Sequence, residues 1–82
     1  MNMIVTLKRI NNGFFKVEIK PAIGEKYFRE FTAEALQQYI LDAEAFCEWK
    51  NYNFLFVVPD AFKKAAARWL GSLAASIIAD TN

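Results

Sequence analysis

The residue types that carry acid–base, nucleophilic and metal chemistry are few in this chain, and their spacing suits none of those reactions. There is no His, so the most frequent general base and metal ligand is missing. The only serines, Ser72 and Ser76, fall inside an apolar helical stretch with no activating partner near them in sequence. The lone Cys47 excludes an internal disulfide and an all-cysteine metal site. Its place on the apolar side of a helical pattern suits a free Cys acting as a small hydrophobe. Gly13, Gly24 and Gly71 form neither a phosphate loop nor a dinucleotide fingerprint. Glu44 and Glu48 are i,i+4 neighbours and could pair two carboxylates on one helix face. No further ligand accompanies them, and such a pair reads as a solvated face. The residues point away from an enzyme and imply no cofactor and no metal.

Recognition chemistry is better represented, on three surfaces. The run Trp69 to Ala79 contains no charge. A helix apolar all round expects cover on two sides. On a helical wheel Phe62, Ala66, Trp69, Leu73 and Ile77 form a bulky core face. Lys64, Ala67, Gly71, Ala74, Ala75 and Ile78 form the back. Ala67, Gly71 and Ala75 are spaced by four, a small-residue groove that lets a second helix approach closely. Lys63 and Lys64 at the start and Asp80 at the end oppose the helix dipole. Two copies packed antiparallel about Gly71 would bring those charges together, as a two-fold dimer requires. The expectation is a homodimer through this helix; the first helix or a foreign target are the other possible covers.

The second surface is a stripe of Leu41, Ala45, Glu48 and Trp49 on the first helix, opposite its core side, where Trp49 could anchor a basic partner or fold back onto the domain. The third is the outer face of the N-terminal hairpin, where Lys8, Phe14, Lys16 and Lys20 could hold a single-stranded nucleic acid by phosphate contact and stacking. Lysines there also discourage edge pairing.

These surfaces need elements to position them. Met3–Ile10 and Phe14–Lys20 flank Asn11-Asn12-Gly13, a hairpin signal. A two-residue Asn12-Gly13 turn sets Ile10 opposite Phe15 and Lys8 opposite Val17. A three-residue loop sets Leu7 opposite Val17 and Val5 opposite Ile19. The second register is preferred because it gathers Met3, Val5, Leu7, Phe15, Val17 and Ile19 on one face; it also sets Lys8 across from Lys16. Pro21 ends the second strand, and 26–31 reads as a third. Thr32 caps a helix to about Trp49, with Phe31 and Leu36 placed for a hydrophobic staple. Leu36, Tyr39, Ile40, Ala43, Phe46, Cys47 and Lys50 follow its core spacing. Phe54–Val58, apolar on both faces, reads as a central or doubly covered strand. Pro59-Asp60 then starts the last helix, over about 60–80, with Asp60 as its cap. The order βββαβα gives one α+β domain over residues 1–82, a four-stranded, mainly antiparallel sheet with two helices on one face.

Composition agrees with that class. The chain is 55% hydrophobic and 23% charged with thirteen aromatics among 82 residues, a globular balance rather than a disordered one. Net charge is only +1 but unevenly spread. Six bases meet two acids in residues 1–29, five acids stand without a base in 30–49, and four bases meet two acids in 50–82. The 11 uncharged residues from Trp69 make about 16 Å of helix, short of the ~30 Å of a bilayer core. The N-terminus has no secretory pattern. A cytoplasmic protein without membrane contact is expected. The compact, His-free, single-Cys character resembles, in size and style, small accessory proteins of phages and mobile elements, including stoichiometric inhibitors such as anti-CRISPR proteins. That resemblance implies a non-enzymatic interaction module that acts by occupying a partner surface. The alternative expectation is a small nucleic-acid-binding protein using the hairpin face.

Overall fold

The structure, a computed structural model, describes residues 1–69. Three strands, β1 (Asn2–Asn11), β2 (Phe14–Lys20) and β3 (Tyr27–Thr32), precede the helix α1 (Ala33–Lys50) and the strand β4 (Asn53–Val57). A short 3-10 turn at Asp60–Phe62 leads into a helical segment over 63–69. The sheet order is β3-β2-β1-β4. β1–β2 and β2–β3 are antiparallel, and β4 runs parallel to β1. The result is an α+β domain on a mixed sheet, antiparallel in two of its three pairings.

Alternation explains the core. Val5 and Leu7 on β1 and Phe15, Val17 and Ile19 on β2 are fully buried, as period-two strands with one covered face require. Leu36 and Ile40 of α1 and Ala66 of the last helical segment join the same cluster. Both helical pieces therefore cover one side of the sheet.

The hairpin combines the two registers open to its sequence. Asn12 (φ 50) and Gly13 (φ 80) make the tight two-residue turn, whose positive φ values suit Asn-Gly. Asn11 pairs with Phe14 and Ile10 with Phe15 accordingly. Beyond them the pairing slips by one residue between Leu7 and Arg9, so that Leu7 meets Val17 and Val5 meets Ile19. Lys8 is the extra residue of a β-bulge, the standard way for two residues to oppose one. The three-residue loop expected from the sequence is therefore not formed; the bulge lets the two-residue turn and the expected buried face coexist. It also corrects the expected Lys8–Lys16 pair: Arg9 stands opposite Lys16.

α1 starts where its sequence says. The Thr32 side chain accepts a hydrogen bond from the Ala35 N–H at 3.2 Å, satisfying one of the free donors of the first turn. Phe31 and Leu36 are both buried, in keeping with a staple. Asn51, left-handed at φ 60, ends the helix through bonds from its N–H to the Cys47 and Glu48 carbonyls. Its buried seam is narrow: Ala33, Leu36, Ile40, Ala43 and Cys47. Phe46 and Lys50, expected on the core face, are exposed instead.

β4 is an edge strand, not a central one. β3 runs in the same direction as β1, and β2 already lies between them, so the chain leaving β3 through α1 crosses the whole sheet and adds at the free side of β1. Phe56 and Val58 turn into the core. Leu55, on the other face, is 45% exposed. An apolar run can be covered on one side and open on the other, a distinction its composition does not carry. Pro59 takes the N-cap position of the 3-10 turn and Asp60 its first residue, where the Asp60 carboxylate pairs with Lys63 Nζ at 2.9 Å.

Candidate functional site

The seam by which α1 packs is narrower than the apolar side of the helix, and the surplus lines a groove. Tyr39, Ala43, Phe46 and Cys47 on α1 form one wall. Pro21, Ala22 and Ile23, in the β2–β3 connection, form the other. Met3 of β1 and Tyr52 after α1 lie between them, with Asp42 and Lys50 at the margin. The volume is about 540 Å³, within the range of ligand and side-chain pockets. Cys47, 1% exposed, donates its S–H toward Met3 Sδ at 3.9 Å. Burial raises its thiol pKa, so it is a packed hydrophobe and not a ready nucleophile.

The groove opens onto a bare aromatic patch. Ile23 is 69% exposed and Phe46 49%. The Phe46 ring lies 6.1 Å from that of Trp49 and 6.4 Å from that of Tyr52. Trp49 itself is 75% exposed, with Lys50 Nζ 4.5 Å from its ring centroid. Of the two roles open to Trp49 from sequence, folding back onto the domain is therefore not the one adopted. Leu41, Ala45 and Glu48 are exposed alongside it.

The electrostatics around this patch are one-sided. Glu34, Asp42, Glu44 and Glu48 are all exposed on α1, and Lys50 is its one base. The Gln38 side-chain amide donates to Asp42 at 2.9 Å, which orders that carboxylate at the groove margin. Tyr39, deeper in, has its phenol pushed up to about 12, first by burial and then by its hydrogen bond with Tyr27, with Arg29 acting the other way. The wall is thus uncharged through the neutral range. Glu44 and Glu48 gain no third carboxylate, His or Cys, among the described residues, placed to hold a metal.

The other sequence-derived residues are distributed as follows. Lys8, Phe14 and Lys20 are exposed and Lys16 is half-buried, all on the sheet face away from α1. On the last helical segment Lys64 is exposed, while Ala67 is half-buried against the domain's own core. Gly71, Ala74, Ala75 and Ile78, on which the helix-mediated dimer turns, lie outside the described residues. Trp69, expected in the core, is 49% exposed, its ring edge near the hairpin turn at Gly13.

Met3, Ile23, Phe46 and Tyr52 were not singled out as site residues from the sequence. Ile23 carried a usable signal, a large aliphatic inside the turn Ala22-Ile23-Gly24-Glu25. Phe46 carried none, because helical spacing assigns it to the core side equally well. Among the described residues no helix is long and apolar enough to cross a membrane. No protein family, no curated protein and no solved structure matches the chain.

Proposed function

We propose that the protein is a non-enzymatic interaction module that occupies a partner's surface through the α1 groove and the aromatic patch beside it. The observation that carries this reading is the gathering of Ile23, from the β2–β3 connection, with Phe46 and Trp49 of α1, each about half exposed or more, beside a helix bearing four exposed acids. Surface residues of this kind are ordinary when scattered; gathered around a groove they mark an interface. The partner that fits is a basic amphipathic helix, its apolar side chains in the groove and a Lys or Arg against Asp42 at the margin, while Glu34, Glu44 and Glu48, farther round α1, add longer-range attraction.

The magnitudes are consistent with reversible binding. Covering Ile23, Phe46 and Trp49 from their present exposure returns about 1–2 kcal/mol each, and the partner's apolar face returns a similar sum. Set against association costs of about 4–15 kcal/mol, that sum leaves about 8 kcal/mol at most, which makes micromolar affinity the ceiling. The exposed acids steer the encounter and contribute less to its strength. The setting of the proposal is the cytoplasm.

The test uses two synthetic helical peptides of equal length, one of Leu and Lys and one of Leu and Glu, with Trp fluorescence and calorimetry as readouts. The Leu/Lys peptide binds in the micromolar range and Phe46→Asp abolishes it. Equal binding of both peptides, or of neither, contradicts the reading.

A further inference from the structure

The side of the sheet that faces away from α1 carries a second, chemically different surface. Strand alternation turns Phe28 and Glu30 of β3, Phe14, Lys16, Glu18 and Lys20 of β2, and Arg9 of β1 toward it. The bulge at Lys8 brings two cations, Lys8 and Arg9, up against Lys16 where a regular ladder would bring one. Like charges directly opposite each other destabilise a strand pair, and an anion seated between them removes that cost.

The shape around Lys16 fits more than a simple ion. One hollow of about 70 Å³ lies among Arg9, Asn11, Phe14, Lys16 and Glu30. A second, of about 300 Å³, lies among Lys16, Phe28, Arg29 and Glu30. Each has an exposed phenylalanine at its margin, Phe14 at 50% and Phe28 at 53%. Lys16 Nζ already sits 5.2 Å from the Phe28 ring centroid. Phe14 pairs with Thr32 while Phe28 pairs with Glu18, which separates their Cα atoms by about 14 Å from strand rise and spacing. They are two independent platforms on either side of a cation.

We infer that this open sheet face binds single-stranded nucleic acid, with Phe14 and Phe28 stacking on bases and Arg9 and Lys16 taking the intervening phosphates. The acids on the face do not cancel it. Glu18 is engaged by Lys26 at 3.7 Å, and Glu30 faces Lys16 alone against Lys8, Arg9 and Lys20. The face of a four-stranded sheet offers ring faces to unstacked bases and is broader than the helix or two-stranded ribbon that a duplex groove admits, so single strands are the ligand. The inference is independent of the α1 groove, which lies on the other side of the sheet.

The test is fluorescence anisotropy with labelled oligothymidine and oligouridine, and with a duplex of equal length, for the full chain. Both single strands bind at 50 mM salt and weaken about tenfold by 200 mM, as two or three phosphate contacts require. Phe28→Ala weakens binding about tenfold with the salt dependence unchanged. Lys16→Glu flattens the salt dependence, and Phe46→Asp changes neither. Phe14 and Phe28 are half exposed, so their variants keep the wild-type circular dichroism and melting. Lack of binding to both strands at 50 mM salt overturns the inference. So does duplex binding of equal strength that ignores Phe28→Ala, which reduces the surface to unspecific charge attraction.

Discussion

Deleting Lys8 is a sharper probe of this fold than any core truncation. In the structure Lys8 is the unmatched residue between the pairs Leu7–Val17 and Arg9–Lys16. Removing it leaves a regular ladder in which every other partner is retained, including the β1–β4 pairs from Asn2 to Thr6. No buried side chain moves, so stability changes by no more than about 1 kcal/mol, as for a surface position. Deleting Leu7 gives a chain of equal length with the opposite expectation. Either Lys8 enters the fully buried Leu7 site, or the bulge persists and Thr6 slides into it. Both routes forfeit a buried Leu, about 3–5 kcal/mol, from a total of roughly 4–12 kcal/mol for a chain of this size. Urea denaturation followed by circular dichroism separates the two. A Lys8 deletion as damaging as the Leu7 deletion refutes the bulge and the register built on it.

Other perturbations read out smaller terms. Thr32→Ala removes the cap on Ala35 and lowers stability by about 1 kcal/mol, a fall of about 4–8 °C in Tm; Thr32→Ser recovers most of it. Gly13→Ala meets no obstruction, since the nearest atom to an added Cβ is Trp69 Cζ3 at 4.0 Å. Its loss is therefore that of the left-handed backbone alone, about 1–2 kcal/mol, and Gly13→Asn loses less. Tyr39 sets an alkaline limit. Its phenol is raised from 10 to about 12 in the fold, so above pH 10 the unfolded chain releases a proton that the folded chain keeps. Stability falls as pH rises through that window, and ultraviolet titration shows one tyrosine ionising last.

Much of the architecture was legible because local chemistry and global pattern agree. Thr32 and the inward set Val5, Leu7, Phe15, Val17 and Ile19 each specify one outcome. The hairpin was legible only in halves. Turn chemistry favoured one register and face polarity the other, and sequence reasoning treated as rivals what a single bulge reconciles. The edge position of β4 was hidden because Phe54–Val58 is apolar on both faces whether or not anything covers it. The groove was hidden for a related reason. Phe46 and Tyr39 belong to the apolar side of α1 by spacing, and only the packed width of the seam decides that Ala33, Leu36, Ile40, Ala43 and Cys47 use it up. The exposure of Leu41 and Ala45 was legible, since they stand among Glu34, Gln38 and Glu48 opposite the core side; that of Trp49 was not, because a Trp at a helix end can equally fold back onto the domain. Arg9 and Phe28 depended on the bulge and on the β2–β3 pairing, neither of which composition reveals.

Nuclear magnetic resonance decides whether the α1 groove with its aromatic patch is the surface this module presents to a partner. The amide and methyl resonances of the labelled protein are followed while the Leu/Lys helical peptide is titrated in. The expected shifts are confined to Met3, Ile23, Ala43, Phe46, Trp49 and Tyr52, saturate at micromolar peptide and are absent in Phe46→Asp. Shifts centred elsewhere on the domain, or none at saturating peptide, contradict that role for the groove.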